Sequence, residues 1–243
     1  MKEKTLNITT KDGEMESFAV HPDGSEPFPA VILYMDAPGI REELRDFCRR
    51  IAGRGLYVLL PDMYYRLGKL RWDLKGISDS ERKSMMAAMN SLTIDLVMRD
   101  TEAMLQFLGS EGEVKPGPKG CIGYCMSGRY VVAAAGNFPE DFAAAASLYG
   151  VGIVSDAPDS PHRLAGKIKG ELYFGFAEND EYVPENVIPD LKAALDEHGV
   201  PYRLDVWPGT GHGFCFPGRD AYREEQAEGV WELVLDLYKR RLG

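Results

Sequence analysis

Cys125 is the residue of this sequence best placed to act as a nucleophile. It lies in Gly123-Tyr124-Cys125-Met126-Ser127-Gly128, between the short run Lys119 to Tyr124 and the helix-compatible run Tyr130 to Ala135. A strand that turns sharply into a helix is the nucleophile-elbow pattern, here with cysteine where Gly-X-Ser-X-Gly carries serine. The requirement is steric. The nucleophile sits in strained backbone geometry, so its neighbours in the turn must be small, and Gly123, Ser127 and Gly128 meet that need. A thiol attacks well only as thiolate, which a nearby imidazole and a helix N-terminus favour.

Partners for such a thiol follow in the order nucleophile, acid, histidine. The histidine is found by elimination. His21 lies in an early loop, His162 in a proline-rich connection, and His198 just before Gly199 at a helix end, where a charge–dipole role suffices. Only His212, within Gly209-Thr210-Gly211-His212-Gly213, follows a late strand in a glycine-flanked loop. The acid is one of three neighbours, Glu178, Asp180 and Glu181, whose side chains should point in different directions. An oxyanion would be held by the backbone N–H of Met126, just after the nucleophile, and of Ala37, past the first central strand. Asp36 is a further acid at that strand end.

Other chemistries fit less well. Cys121, Cys125, His212 and Cys215 could in principle ligate zinc, but Cys121 lies inside a strand and neither spacing has a knuckle context. No metal is therefore expected. Ser127 lacks the glycine two residues earlier that an elbow needs. Cys48 falls on the apolar face of a helix, and Met85, Met86, Met89, Met98 and Met104 read as core filling.

The elements that would position these groups alternate. Leu6 to Thr9 and Met15 to Val20 read as a hairpin turned by Asp12-Gly13. Ala30 to Met35 and Tyr57 to Leu60 are continuous apolar runs, the mark of strands buried on both faces. Arg41 to Arg54 carries Leu44, Phe47, Cys48 and Ile51 at helical spacing. Ser80 to Asn90, Thr93 to Leu108, Pro184 to His198 and Arg219 to Arg240 read as further helices. Phe142 to Tyr149, Glu171 to Ala177 and Tyr202 to Trp207 read as further strands. The fold class is α/β: a mainly parallel sheet with helices on both faces and an antiparallel N-terminal edge hairpin. No repeat or linker interrupts it, so residues 1–243 are expected to form one domain. The long connections Met63 to Asp79 and Val151 to Gly170 are candidate pocket walls.

Bulk properties exclude some partners. With Asp and Glu outnumbering Lys and Arg by 38 to 28, the net charge of -10 argues against nucleic acid and anionic membrane. Apolar runs fall far short of the ~18 residues that suggest a membrane span. The N-terminus shows no secretory signal, and four cysteines fit free thiols, so a cytoplasmic monomer or small homo-oligomer is expected.

Three stretches together resemble the dienelactone hydrolase (carboxymethylenebutenolidase) family of the α/β-hydrolase fold. They are Gly123 to Gly128, Asp180-Glu181-Tyr182-Val183-Pro184 and Gly211-His212-Gly213-Phe214, supported by Met35 to Ile40 and Pro61-Asp62-Met63-Tyr64. The likeness runs from about Leu6 to the last helix. It selects Asp180 as the acid and implies a cysteine acyl-enzyme acting on a small ester or enol-lactone substrate, with no cofactor. Departures bear on the substrate. Asp36 replaces the family's glutamate near the thiol, and Ser127 replaces a glycine. Of the two arginines that hold a substrate carboxylate, Arg82 matches the first by spacing, while Phe216 occupies the second position, with Arg219 three residues on. Dienelactone itself need not be the substrate. The competing expectation is a non-catalytic thiol-sensing or ligand-binding protein on the same fold, and acyl transfer to an acceptor other than water uses the same residues.

Overall fold

Asp12-Gly13 does turn the chain back on itself. β1 (Lys2–Thr10) and β2 (Gly13–His21) pair antiparallel along their full length, from Lys2 opposite His21 to Thr10 opposite Gly13. Gly13, with φ +132°, takes the backbone conformation that a side chain would resist. The computed structural model describes residues 1–243, which divide into a unit of Met1–Lys119 and one of Gly120–Gly243.

In the first unit the strands lie in the order β1-β2-β4-β3, with β3 spanning Ala30–Tyr34 and β4 Tyr57–Pro61. β3 and β4 run parallel, while β2 joins β4 antiparallel, so the expected hairpin edge is present. Every residue of β3 and β4 is buried, as their unbroken apolar runs require. Between them α1 (Glu42–Ala52) buries Leu44, Phe47, Cys48 and Ile51. α2 (Asp79–Ser91) opens on a capping box made by Ser78 and Glu81, and α3 (Ile94–Ser110) on a Thr93 cap. Met85, Met98 and Met104 are buried on these helices and Met86 is exposed. The connection after β4 folds over the loop after β3. The Tyr64 hydroxyl donates to the Ala37 carbonyl (2.9 Å), and the Trp72 N–H donates to the Pro38 carbonyl (3.0 Å).

The second unit holds β5 (Lys119–Tyr124), β6 (Phe142–Leu148), β7 (Glu171–Asn179) and β8 (Tyr202–Gly211), side by side in chain order. β6, β7 and β8 pair parallel. α4 (Gly128–Asn137), α5 (Val187–Glu197) and α6 (Glu224–Leu242) connect and follow them. On α6 the buried Tyr238 donates its hydroxyl to the Cys121 carbonyl (2.9 Å). Its ring lies so close to β5 that a Cβ at Gly120 would meet it at 2.9 Å.

Boundaries differ from the sequence reading most at β1, which starts at Lys2 and not Leu6, at β8 and at α6. β8 continues past Trp207 through Pro208 to Gly211. Proline and glycine argue for an end there, but β8 is the last strand of the order, where a missing N–H is tolerated. α6 starts at Glu224, because Arg219 and Tyr222 are engaged in successive turns that donate to Phe216 and Arg219 carbonyls. No helix is long and apolar enough to cross a membrane.

Candidate active site

Cys125 has φ +55°, one of only two non-glycine residues with a left-handed backbone. Such a conformation costs on the order of 1–3 kcal/mol and persists only where the surroundings hold it. The holding groups are visible. A Cβ at Gly123 would sit 2.6 Å from the Ser127 carbonyl oxygen, and one at Gly128 would sit 2.3 Å from the Gly150 Cα. The Val151 N–H donates to the Cys125 carbonyl at 2.9 Å. Cys125 to Ser127 form a single tight helical turn that leads straight into α4, so the thiol stands at a helix N-terminus. Cys48, Cys121 and Cys215 are buried, and burial pushes each of those thiols strongly up, away from ionisation; Cys125 alone is partly exposed.

The candidate acid and base, Asp180 and His212, leave adjacent parallel strands. After a register shift at Ala177, Asn179 of β7 pairs with Gly211 of β8, and the residues that follow are Asp180 and His212. Asp180 accepts from His212 Nδ1 through both carboxylate oxygens, at 2.8 and 3.0 Å. The Tyr182 N–H steadies the same carboxylate at 3.0 Å. Of the three acids, only Asp180 meets the imidazole. Glu178 instead accepts from the Gly209 N–H (2.9 Å), tying β7 to the end of β8, and Glu181 is exposed. Burial works against protonation of His212, but hydrogen bonding to Asp180 and the nearby Cys125 thiol overcome it and raise its pKa to about 9. Its Nε2 is buried without a formed hydrogen bond, facing a thiol close enough to influence it. Long or misaligned contacts of this kind are common in unliganded sites.

The imidazole is flanked by two aromatic rings, one of them, Tyr149, outside every motif singled out in the sequence. Tyr149 approaches it edge-on with centroids 5.1 Å apart, and Tyr182 at 4.8 Å. Tyr149 directly follows β6, a strand end with no acid, thiol or imidazole to draw notice. Tyr182 is visible only as the second residue after the acid.

The remaining residues are placed as follows. Met126 is buried directly after the nucleophile. Ala37 is buried in the first unit, in the loop held by Tyr64. Asp36 is fully buried and accepts from both guanidinium nitrogens of Arg41, at 2.5 and 3.1 Å. Arg41 also pairs with Glu43 (2.9 Å). Burial opposes the Arg41 charge, yet the two carboxylates hold its pKa above the usual value. Nothing in the sequence pattern pointed to this pair. Arg82 stands exposed on α2. Arg219 lies 4.2 Å over the ring of the buried Phe216, and a Cβ at Gly213, beside His212, would meet its guanidinium at 2.6 Å. The connection from Val151 to Gly170 lines a cavity of about 670 Å³ against α5, with His162, Arg163, Asp190 and Glu197 among its walls and no triad residue. No group of three or more His, Cys, Asp or Glu side chains is arranged to hold a metal ion.

Residues 15–242 match the model of the dienelactone hydrolase family. The chain belongs to the dienelactone hydrolase family. A Synechocystis protein with the provisional name carboxymethylenebutenolidase is 26% identical, the match covering 100% of this chain and 98% of that one. A Methylorubrum extorquens protein of the same provisional name is also 26% identical, over 97% of this chain and 80% of its own. A crystal structure from Klebsiella pneumoniae, described provisionally as a dienelactone hydrolase, superposes with a TM-score of 0.86 at 22% identity, covering 98% of both chains. That likeness bears out the expected α/β-hydrolase fold. Membership of this family makes the protein a hydrolase acting on lactones or esters.

Proposed function

We propose that this hydrolase works through a covalent acyl-enzyme on Cys125, with His212 as base and acid and Asp180 as its orienting partner. The observation that carries the reading is the two-oxygen contact of Asp180 with His212 Nδ1 (2.8 and 3.0 Å), which leaves Nε2 directed away from the acid and beside the elbow thiol. Nε2 takes the thiol proton as the sulfur attacks the carbonyl carbon. Asp180 fixes the tautomer and stabilises the imidazolium. The tetrahedral oxyanion is received by the Met126 N–H, and such a donor is worth about 100-fold in rate or more. Collapse expels the alkoxide or enolate, which His212 protonates. His212 then activates water to free the acid and restore the thiol.

Arg219 and Arg82 are the candidates for an anionic end of the substrate. Arg219 has the stronger support, since its guanidinium stands against Gly213 in the histidine loop. Asp36, committed to Arg41, serves in this reading to hold the loop of Ala37 and not as a proton carrier. The 243 residues act as one hydrolase domain, and the four free thiols suit the reducing cytoplasm.

The test is a panel of small esters and enol-lactones quenched in acid and read by intact mass. An acyl adduct that maps to Cys125 is expected. Turnover without any Cys125 adduct, and undiminished in Cys125→Ala, would sink the reading.

A further inference from the structure

Only two residues other than glycine have a left-handed backbone: Cys125 (φ +55°) and Tyr149 (φ +37°). The first is explained by the elbow. The second has no turn chemistry to account for it, since a bulky aromatic is among the residues least suited to positive φ. An observed outlier of this kind is grounds for a functional hypothesis.

The strain is held firmly. The Tyr149 N–H donates to the Gly175 carbonyl of β7 at 2.6 Å, and the side chain is fully buried. The left-handed turn swings the ring away from the course of β6 and into the histidine loop. There it meets His212 edge-on at 5.1 Å and Phe214 at 5.5 Å, and it also packs against Tyr124 (6.0 Å), the residue before Cys125. Two residues on, the Val151 N–H holds the Cys125 carbonyl at 2.9 Å. Gly150, between them, packs its Cα where a Cβ of Gly128 would fall, at the start of α4. One five-residue segment, from Ser147 to Val151, therefore touches the nucleophile's turn and the base. Tyr182 also meets His212 edge-on, at 4.8 Å, but it is 48% exposed.

We propose that Tyr149 is a positioning residue whose buried ring, set by its left-handed backbone, fixes the imidazole of His212 relative to the thiol of Cys125. This rests on the Cys125–His212–Asp180 reading above. The ring meets the imidazole while the hydroxyl interacts with the Cys215 thiol, so Tyr149→Phe and Tyr149→Leu separate the two.

The experiment combines steady-state kinetics on an activated ester with imidazole NMR of 15N-histidine protein, His212 being assigned by its loss in His212→Asn. Tyr149→Leu is expected to lower kcat by about 10- to 100-fold with KM nearly unchanged, the cost of a base displaced by an ångström or less. Tyr149→Phe should stay within about threefold of the parent, since the ring remains. In the parent and in Tyr149→Phe, alkylating Cys125 with iodoacetamide should shift the His212 titration; in Tyr149→Leu that response should vanish. A role confined to folding would leave the response intact in any folded variant. If Tyr149→Leu does not fold by circular dichroism, Tyr149→Met, similar in bulk but ringless, is read in its place. Parent-like kcat, or a lost kcat with the alkylation response retained, overturns the proposal. Failure of the triad reading looks different: Cys125→Ala would keep turnover, whereas the titration response needs no turnover at all.

Discussion

Asn179 of β7 pairs with Gly211 of β8, and that single register places Asp180 beside His212. Parallel strands end at the same edge of a sheet, so two side chains that follow paired residues emerge together. The carboxylate and the imidazole are 32 residues apart in sequence yet only 2.8 Å apart in space.

Replacing the proposed nucleophile gives the bluntest outcome. Cys125→Ala should lower ester hydrolysis by about 10⁴-fold or more, as loss of a nucleophile does in comparable triads. Folding should be untouched, checked by circular dichroism. Parent-like hydrolysis in this variant would remove Cys125 from the chemistry, whereas a parent that hydrolyses nothing while Cys125 reacts quickly with peroxide would favour the thiol-sensing alternative.

The pH dependence follows from His212. Its pKa is raised to about 9, so the free imidazole that accepts the thiol proton appears as pH rises through that value. The acidic limb of kcat/KM should therefore rise with a midpoint near it. In Asp180→Asn the carboxylate that supports the proton is gone, and the limb should move down toward the ordinary imidazole value of about 6.5. Its kcat should fall by about 10³- to 10⁴-fold. The linked stability has the opposite trend. A group whose folded pKa is raised stabilises fully below its unfolded value, and this contribution is lost as pH climbs through about 9. Denaturant titrations at a series of pH values measure it.

Gly128→Ala is a steric test of the elbow. The added methyl would lie 2.3 Å from the Gly150 Cα, backbone that cannot rotate aside, and 2.5 Å from the Ser147 Oγ. Overpacking of this sort costs about 1–3 kcal/mol. A lower denaturant midpoint is expected together with slower alkylation of Cys125, because the turn must shift.

Arg219 tests the substrate's charge. Arg219→Ala should raise KM about tenfold or more for a lactone bearing a free carboxylate, the loss of a charge-assisted contact of roughly 1.5–3 kcal/mol. A neutral ester of similar size should be unaffected. Equal effects on both substrates would assign Arg219 to packing over Phe216 alone.

Much of this was legible without coordinates because it rests on local rules. The elbow shows itself in Gly123, Cys125 and Gly128, since strained backbone tolerates only small neighbours. The buried strands β3 and β4 show themselves as unbroken apolar runs, and α1 as a spaced apolar face. Even the order of the functional groups along the chain follows from strands that end at a common edge. What sequence left open was which of three adjacent acids meets the histidine. A resemblance chose Asp180, but no local rule could, because the answer lies in a register shift between two strands.

The chain by itself determined that a thiol in a tight strand–helix turn would be followed by an acid and then a histidine. Tertiary structure alone decided how they are held. Pairing at Asn179 and Gly211 sent Asp180 to the imidazole and turned Glu178 to the Gly209 N–H. Packing forced Tyr149 into a left-handed backbone and its ring against His212, and gave Asp36 to Arg41. The physical reason is the same throughout. Side-chain type and spacing are written in the sequence, but a contact between distant residues depends on register and packing, and these are set only when the sheet closes.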